Sequence, residues 1–299
     1  MNAIRSASLD PHALLARPFA PIVQDYSIRD TLLYALAIGM GAEPADTGAL
    51  SYVYEGAPGG LLAVPTMVNV LGYTGFWADQ PGTGITWRQL VHVEQAITLH
   101  RELPAAGRVV GHNRVVGLHD RGNGKGALML QERRVCDAES GTLWATVMQT
   151  TLLRADGGFG IEHGASHGVM PAARHAVPTR PGDACCDLPT LPQAALLYRL
   201  NGDFNPLHAD PDVARSAGFA RPILHGLATM GGAMHAALKT LLAYDVSAVR
   251  GMRVRFTAPV WPGDTLRTEL WRDGDALSFR TTAVERGMVV LDAGRIDLA

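Results

Sequence analysis

The chain has 299 residues, 47% of them hydrophobic and 18% charged, with a formal net charge of -2. Such a composition excludes a disordered chain, and the near-neutral balance excludes a general pull toward nucleic acid or an anionic membrane surface, so a small molecule is the expected partner. The length allows two ordinary domains with a substantial core.

At the N-terminus, Asp10, Pro11, Arg17 and Pro18 stand where an export signal needs an unbroken apolar run, and none is expected. The apolar stretch from Thr31 to Ala42 is too short to span a bilayer, and the ending Ile-Asp-Leu-Ala is not a peroxisomal address. Cys136 and the adjacent Cys185 and Cys186 form neither a disulfide framework nor a zinc-binding spacing. A cytoplasmic protein without membrane partners is the expectation.

Ser27 with Asp30 predicts a capped helix through Leu32, Leu33, Leu36 and Ile38, ending at Gly39 or Gly41. Thr190 with Gln193 predicts a second cap before Leu-Leu-Tyr-Arg-Leu at 196–200, an echo of Leu-Leu-Tyr-Ala-Leu at 32–36. Each copy passes through a loop to a proline-led apolar segment, starting at Val64-Pro65 in the first and Arg221-Pro222 in the second. A meander of strands follows each. Turn signals separate strand-like runs at 90–103, 108–118, 127–136 and 143–153, and again at 252–256, 265–271, 276–284 and 288–298. This grammar predicts one α+β unit used twice, with each sheet curling around its own helix. The boundaries read as 1–153 for the first unit, 154–189 for a glycine-, proline- and charge-rich link, and 190–299 for the second.

Chemistry concentrates in Tyr198 to Gly232. Asp203, Asn205 and His208 lie on a loop, because Asn205-Pro206 and Pro211 prevent a regular helix there. Leu224, Leu227, Met230, Met234, Leu238 and Leu241 then recur at helical spacing. Gly226, Gly231 and Gly232 each cost that helix about 1 kcal/mol against alanine, which points to close backbone approach. Singly, Asn201-Gly202-Asp203 also reads as a helix stop and His208 as a hydrogen-bonded surface histidine. Clustered before a helix N-terminus with a free N–H at Gly226, the residues read as an acid/base pair facing an oxyanion hole. A calcium loop would need glycine and glutamate where His208 and Ala214 stand, so no metal is expected. Neither a serine nucleophile elbow nor a phosphate-binding loop is present.

Gly-Asp-Phe-Asn-Pro-Leu-His at 202–208, Ala217-Gly218-Phe219, Pro222-Ile223-Leu224-His225-Gly226 and Pro-Val-Trp-Pro-Gly-Asp-Thr-Leu at 259–266 resemble the hydratase 2, or MaoC-like, enoyl-CoA hydratases. Tyr34-Ala35-Leu36, Tyr52-Val53-Tyr54-Glu55, Val64-Pro65-Thr66, His92 with Glu94 and Gln95, and Gly157-Gly158-Phe159-Gly160 correspond to the N-terminal half of the eukaryotic type. The resemblance implies a double hot dog whose first unit is catalytically degenerate. It also implies R-specific hydration of trans-2-enoyl-CoA, with Asp203 and His208 as acid and base, Asn205 orienting them or the water, and Gly226 as oxyanion donor. His92, Val93, Arg121, Phe256 and Glu55, with Phe204, Pro206 and Leu207 of the motif, are the implied substrate-binding residues. Val93 departs from the glycine usual in the family, and Ala42 to Gly48 lacks any histidine where the second half has its reactive loop. No separate cofactor is implied, since coenzyme A is part of the substrate, and the reading is compatible with a homodimer. A dehydratase of a specialised acyl-CoA, a hot-dog thioesterase and a non-catalytic acyl-CoA binder are the alternatives.

Overall fold

The computed structural model describes residues 9–299, so the first eight residues of the N-terminal unit lie outside the described residues. Helix α1 (Pro11–Leu15) starts at Asp10, whose carboxylate accepts the N–H groups of His12 and Ala13. After strand β1 (Ile22–Tyr26), Asp30 accepts the N–H of Ser27 at 2.7 Å and begins α2 (Ile28–Ala37), which stops before Gly39 at φ +88°. A single turn, α3 (Leu50–Val53), and a 3₁₀ turn over Pro65–Val70 lead into β2 (Leu90–Leu99), β3 (Gly107–Asp120), β4 (Ala127–Asp137) and β5 (Leu143–Leu153). The expected link contains α4 (Gly160–His163), β6 (Ser166–Gly168) and β7 (Ala184–Pro189). The second half adds α5 (Ala194–Tyr198), α6 (Pro211–Ser216), α7 (Gly226–Thr240) and strands β8 (Val249–Phe256), β9 (Thr265–Asp273), β10 (Ala276–Ala283) and β11 (Met288–Leu298).

The two meanders do not stay separate. All strands join one antiparallel sheet in the order β1-β3-β4-β5-β2-β8-β11-β10-β9-β7, with β6 also on β3. The seam is β2 against β8, where Glu94 faces Arg255, Gln95 faces Val254 and Ile97 faces Met252. The Glu94 and Arg255 side chains close an ion pair across it at 2.8 Å. The segment 154–189 is built into this sheet: β6 pairs with β3, and β7 forms the outer edge on β9.

Two expectations are corrected. Thr190 does not cap α5; its hydroxyl donates to the Asp264 carbonyl at 2.8 Å and accepts the N–H of Gly263. Strand β7 ends at Pro189 and delivers Thr190 to that turn, so a tertiary partner outcompetes the local cap. The α+β double-unit architecture is present, but only the second unit has a long helix. Its fifteen-residue α7 is matched in the first unit by the six-residue turn Pro65–Val70. That turn is stopped at Gly72 (φ +60°), which presses so closely on β3 that a Cβ there would lie 2.6 Å from the Gly111 Cα.

The core runs through both halves, with Tyr34, Met67, Val68, Tyr198, Met230, Leu238, Leu270 and Phe279 among its sealed side chains. Within α7 the two expected close approaches differ. A Cβ on Gly231 would sit 2.5 Å from Ile38 Cγ2 of the sequence following α2, whereas one on Gly232 would meet Leu266 Cδ1 at an ordinary 3.5 Å. Gly231 thus admits a helix neighbour rather than the sheet, and Gly232 is not forced by packing. Alanine at 232 is expected to stabilise by up to about 1 kcal/mol through helix propensity. At 231, overpacking of about 1–3 kcal/mol outweighs that gain. Urea unfolding of Gly231→Ala and Gly232→Ala checks this order, and equal stabilisation by both would refute it.

Candidate active site

The 3₁₀ turn Arg199–Asn201 ends at Gly202, whose φ of +109° turns the chain out of α5 and presents Asp203. Asn205 Oδ1 accepts the Leu207 N–H at 3.0 Å, so its side chain shapes the tight turn Pro206–His208, while its own N–H reaches Asp203 Oδ1 at 3.3 Å. Phe204 is 59% exposed beneath the Arg199 guanidinium, 5.0 Å from its ring centre. Pro206 is exposed and Leu207 half-buried.

His208 is buried, and its Nδ1 lies 2.8 Å from the Ile223 carbonyl. A carbonyl only accepts, so Nδ1 carries the proton and Nε2 is the free nitrogen of the neutral ring. His225, which immediately precedes α7, stacks on it with ring centres 3.7 Å apart and planes 26° apart. The His225 Nε2 donates to the Asp203 carbonyl at 3.2 Å. Asp203, His208 and His225 bring a carboxylate oxygen and two ring nitrogens within 4.8 Å of one another, the one metal-capable trio among the described residues. Two ring nitrogens of that trio are already engaged by carbonyl oxygens.

Gly226 opens α7, so its N–H has no intrahelical partner. A Cβ at this position would lie 3.1 Å from the Phe256 ring, so a larger residue would have to push that ring aside to keep the amide this close to the seam. Phe256 in turn meets His92 edge to face, ring centres 4.8 Å apart. His92 comes from the other half: Val93 is the extra residue of a bulge between β2 and β5, and the bulge re-aims the strand beside Phe256. The His92 Nε2 bonds Gln95 Oε1 at 2.9 Å and the Glu94 carbonyl at 3.0 Å. A cavity of about 190 Å³ reaches His208 from the α5 side, between Ala195, Leu196, Arg221, Pro222 and Pro262.

Not every implied residue converges. Arg121 is exposed at the β3 hairpin and makes no side-chain hydrogen bond among the described residues. Glu55 is exposed after α3, three residues from Tyr52, whose hydroxyl bonds the Tyr244 carbonyl beyond the C-terminus of α7. Conversely, the sequence assigns no role to His225, to Tyr198, whose buried ring lies 4.9 Å from it, or to Tyr73, which senses the Asp203 charge. The Leu-His-Gly run before an apolar helix is the only available signal for His225.

Burial sets the electrostatics. It pushes His92 down to about 4 and His225 down to about 3, the latter helped by repulsion from His208. Burial also lowers His208, outweighing the Ile223 carbonyl and the Asp203 carboxylate, which favour its charged form. These rings are neutral when folded but bind protons below about pH 6.5 when unfolded. Their contribution to stability is therefore complete above pH 6.5 and is lost as pH falls toward the folded values. A Tm series should fall steeply below about pH 6; a flat Tm down to about pH 4.5 would contradict neutral burial.

Residues 171–293 match the MaoC like domain, and residues 24–155 match the MFE-2 hydratase 2 N-terminal domain. The chain is 39% identical to 3-hydroxyacyl-thioester dehydratase Y of Mycobacterium tuberculosis, over 97% of this chain and 98% of that protein. It is 36% identical to the peroxisomal enoyl-CoA hydratase 2 of Arabidopsis thaliana, over 99% of this chain and 97% of that one. The crystal structure of a MaoC-like dehydratase from Phytophthora capsici superposes with a TM-score of 0.84 at 32% identity, covering 96% of this chain and 98% of that one. In fold alone, the chain is also similar to a Mycobacterium tuberculosis protein with a double hotdog fold, at TM-score 0.55 and 22% identity, over 94% of this chain and 96% of that one.

Proposed function

The chain belongs to the MaoC-like, hydratase 2 family, and from that premise we propose that it is an R-specific enoyl-CoA hydratase, a hydro-lyase that adds water reversibly across a trans-2-enoyl-CoA to give a (3R)-3-hydroxyacyl-CoA. One observation carries the reading: a carboxylate and a neutral imidazole with a free Nε2 share a loop beside the unpaired amide of Gly226.

Hydration forms a C–O bond at C3 and a C–H bond at C2 while the double bond opens, so a base takes a proton from water and an acid delivers one to C2. Asp203 and His208 share these two transfers: with the carboxylate ionised and His208 Nε2 free, the proton that the pair takes from water is the one it returns to C2, and the pair ends as it began. As electrons move toward the thioester carbonyl, the Gly226 N–H at the positive end of α7 stabilises the developing oxyanion, an effect of about 3 kcal/mol. Asn205 holds the turn on which both groups sit. Phe256 lies against Gly226 with His92 beside it, and coenzyme A enters as part of the substrate rather than as a separate cofactor.

The first unit is read as catalytically degenerate. Its loop at 42–48 has two carboxylates: Glu43 is exposed, and Asp46 is occupied by the Tyr244 hydroxyl at 2.6 Å and Lys239 Nζ at 3.1 Å. The exposed Leu36, Leu196 and Leu200, on the adjoining α2 and α5 layer, support a homodimer contact there. The free thiols Cys136, Cys185 and Cys186 support a reducing, cytoplasmic setting; no helix among the described residues is long and apolar enough to cross a membrane.

Asp203→Ala and His208→Ala are each expected to cut hydration of crotonyl-CoA by about 10²- to 10⁴-fold, with circular dichroism and Tm near wild type. Loss of the enoyl-thioester absorbance provides the assay. Full activity in both variants would sink the assignment.

A further inference from the structure

Both halves bury polar side chains, Thr268, Ser278 and Thr281 among them in the second, but the buried amides and the buried arginine lie in the first. In the second, Met252, Val254, Leu270, Leu277 and Phe279 close an apolar core with α7. In the first, where a short turn stands in place of a long helix, the buried positions include Asn69, Gln95, Asn113, Gln131, Arg133 and Thr151. Polar groups inside a protein are ordinarily hydrogen-bonded, and buried charges ordinarily paired.

Arg133 breaks that pattern. It is 7% exposed, and Nη2 donates to the Asn69 carbonyl at 2.6 Å and, more weakly, to that of Val68 at 3.4 Å. Its guanidinium carbon lies 5.4 Å from the centre of the Tyr73 ring. No carboxylate pairs with it among the described residues, and Nε is sealed from solvent without a partner. Asn113, its directly paired neighbour across β3 and β4, bonds Gly72 through Nδ2 but leaves Oδ1 unpartnered. Capping the last carbonyls of the turn accounts for Nη2 alone. The sealed Nε and the charge without a counter-ion would both be met by an anion.

This cation is connected to the reaction centre. His92 bonds Gln95, the Gln95 Nε2 donates to Asn69 Oδ1 at 2.7 Å, and the Asn69 carbonyl accepts from Arg133. Counting strands from His92 through Thr151 and Met129 to Arg133 gives two interstrand steps and four residues along β4. At about 4.8 Å per step and about 3.3 Å per residue, the backbone positions are roughly 16 Å apart, within the reach of an acyl chain. Burial lowers the guanidinium to about 10, which leaves it charged at neutral pH.

We propose that the protein's substrates are enoyl-CoA thioesters whose acyl chain ends in a carboxylate, and that Arg133, flanked by Tyr73 and Asn113, receives that carboxylate in the interior of the first half. The proposal rests on the hydratase reading above. It makes Arg133 a specificity determinant rather than a catalytic residue.

The test is kcat/KM on the full-length protein for trans-2-enoyl-CoAs of increasing length, each as a methyl-ended and a carboxyl-ended pair. At the length that spans the gap, the carboxyl-ended member should be preferred by about tenfold or more. Arg133→Met should abolish the preference, and Arg133→Lys should retain part of it. A merely structural arginine would lower both members of a pair alike and leave the ratio unmoved, which overturns the proposal. So does a wild-type preference for the methyl-ended member at every length, an outcome that needs no folded variant. Crotonyl-CoA separates the two readings: hydration of it without any carboxyl preference removes the Arg133 assignment alone, and failure to hydrate any member removes the hydratase reading as well.

Discussion

The pairing of β2 with β8 is the constraint on which the site depends. Without this ladder there are two meanders; with it there is one sheet, and His92 of the first half lies against Phe256 of the second. Phe256 then occupies the space that a side chain at residue 226 would need, bringing the first amide of α7 to the seam. The ion pair of Glu94 with Arg255 sits one residue from Phe256 and two from His92, so register at the seam and geometry at the site are set together. A slip of one residue would turn His92 and Phe256 to the opposite face of the sheet.

The same pairing explains why one half can lose its helix. A lone unit would have to cover its concave face with its own helix, but here the second half anchors one edge of the first-half sheet. The first half is then free to replace a long helix with a short turn and to place polar side chains on the vacated interior. That trade removes apolar contacts, so it makes physical sense where the interior meets a ligand rather than only itself.

Local physics made much of this legible. The runs 143–153 and 288–298 coincide with β5 and β11 because their turns are marked by glycine and by short polar residues that tolerate tight φ/ψ. The loop of Asp203 and His208 is legible because Asn-Pro and a second proline deny it a helix. The shortened first helix is not. Val64-Pro65 resembles Arg221-Pro222, and what stops the first segment is the contact of Gly72 with Gly111, residues distant in the chain. Thr190 misleads for the same reason, its partners being Gly263 and Asp264. Motif position carries Arg121 and Glu55 toward the site, but nothing local records that both side chains are exposed. Arg133 is equally silent, since a second arginine beside Arg134 reads as surface charge until the pleat turns one of them inward.

His225 ties the parts of the site to one another. Its ring lies on His208, its Nε2 holds the carbonyl of Asp203, and its own peptide bond supplies the Gly226 N–H. Asp203, His208 and the Gly226 N–H are thus referenced to a single residue at the start of a buried helix. Protonating His225 would place a charge against the ring of His208, so its strongly lowered affinity for protons keeps the stack neutral where the loop must work. In the proposed mechanism the pair is supported by an uncharged ring that stacks on His208 and is hydrogen-bonded to Asp203. A second titrating neighbour would compete for the same proton.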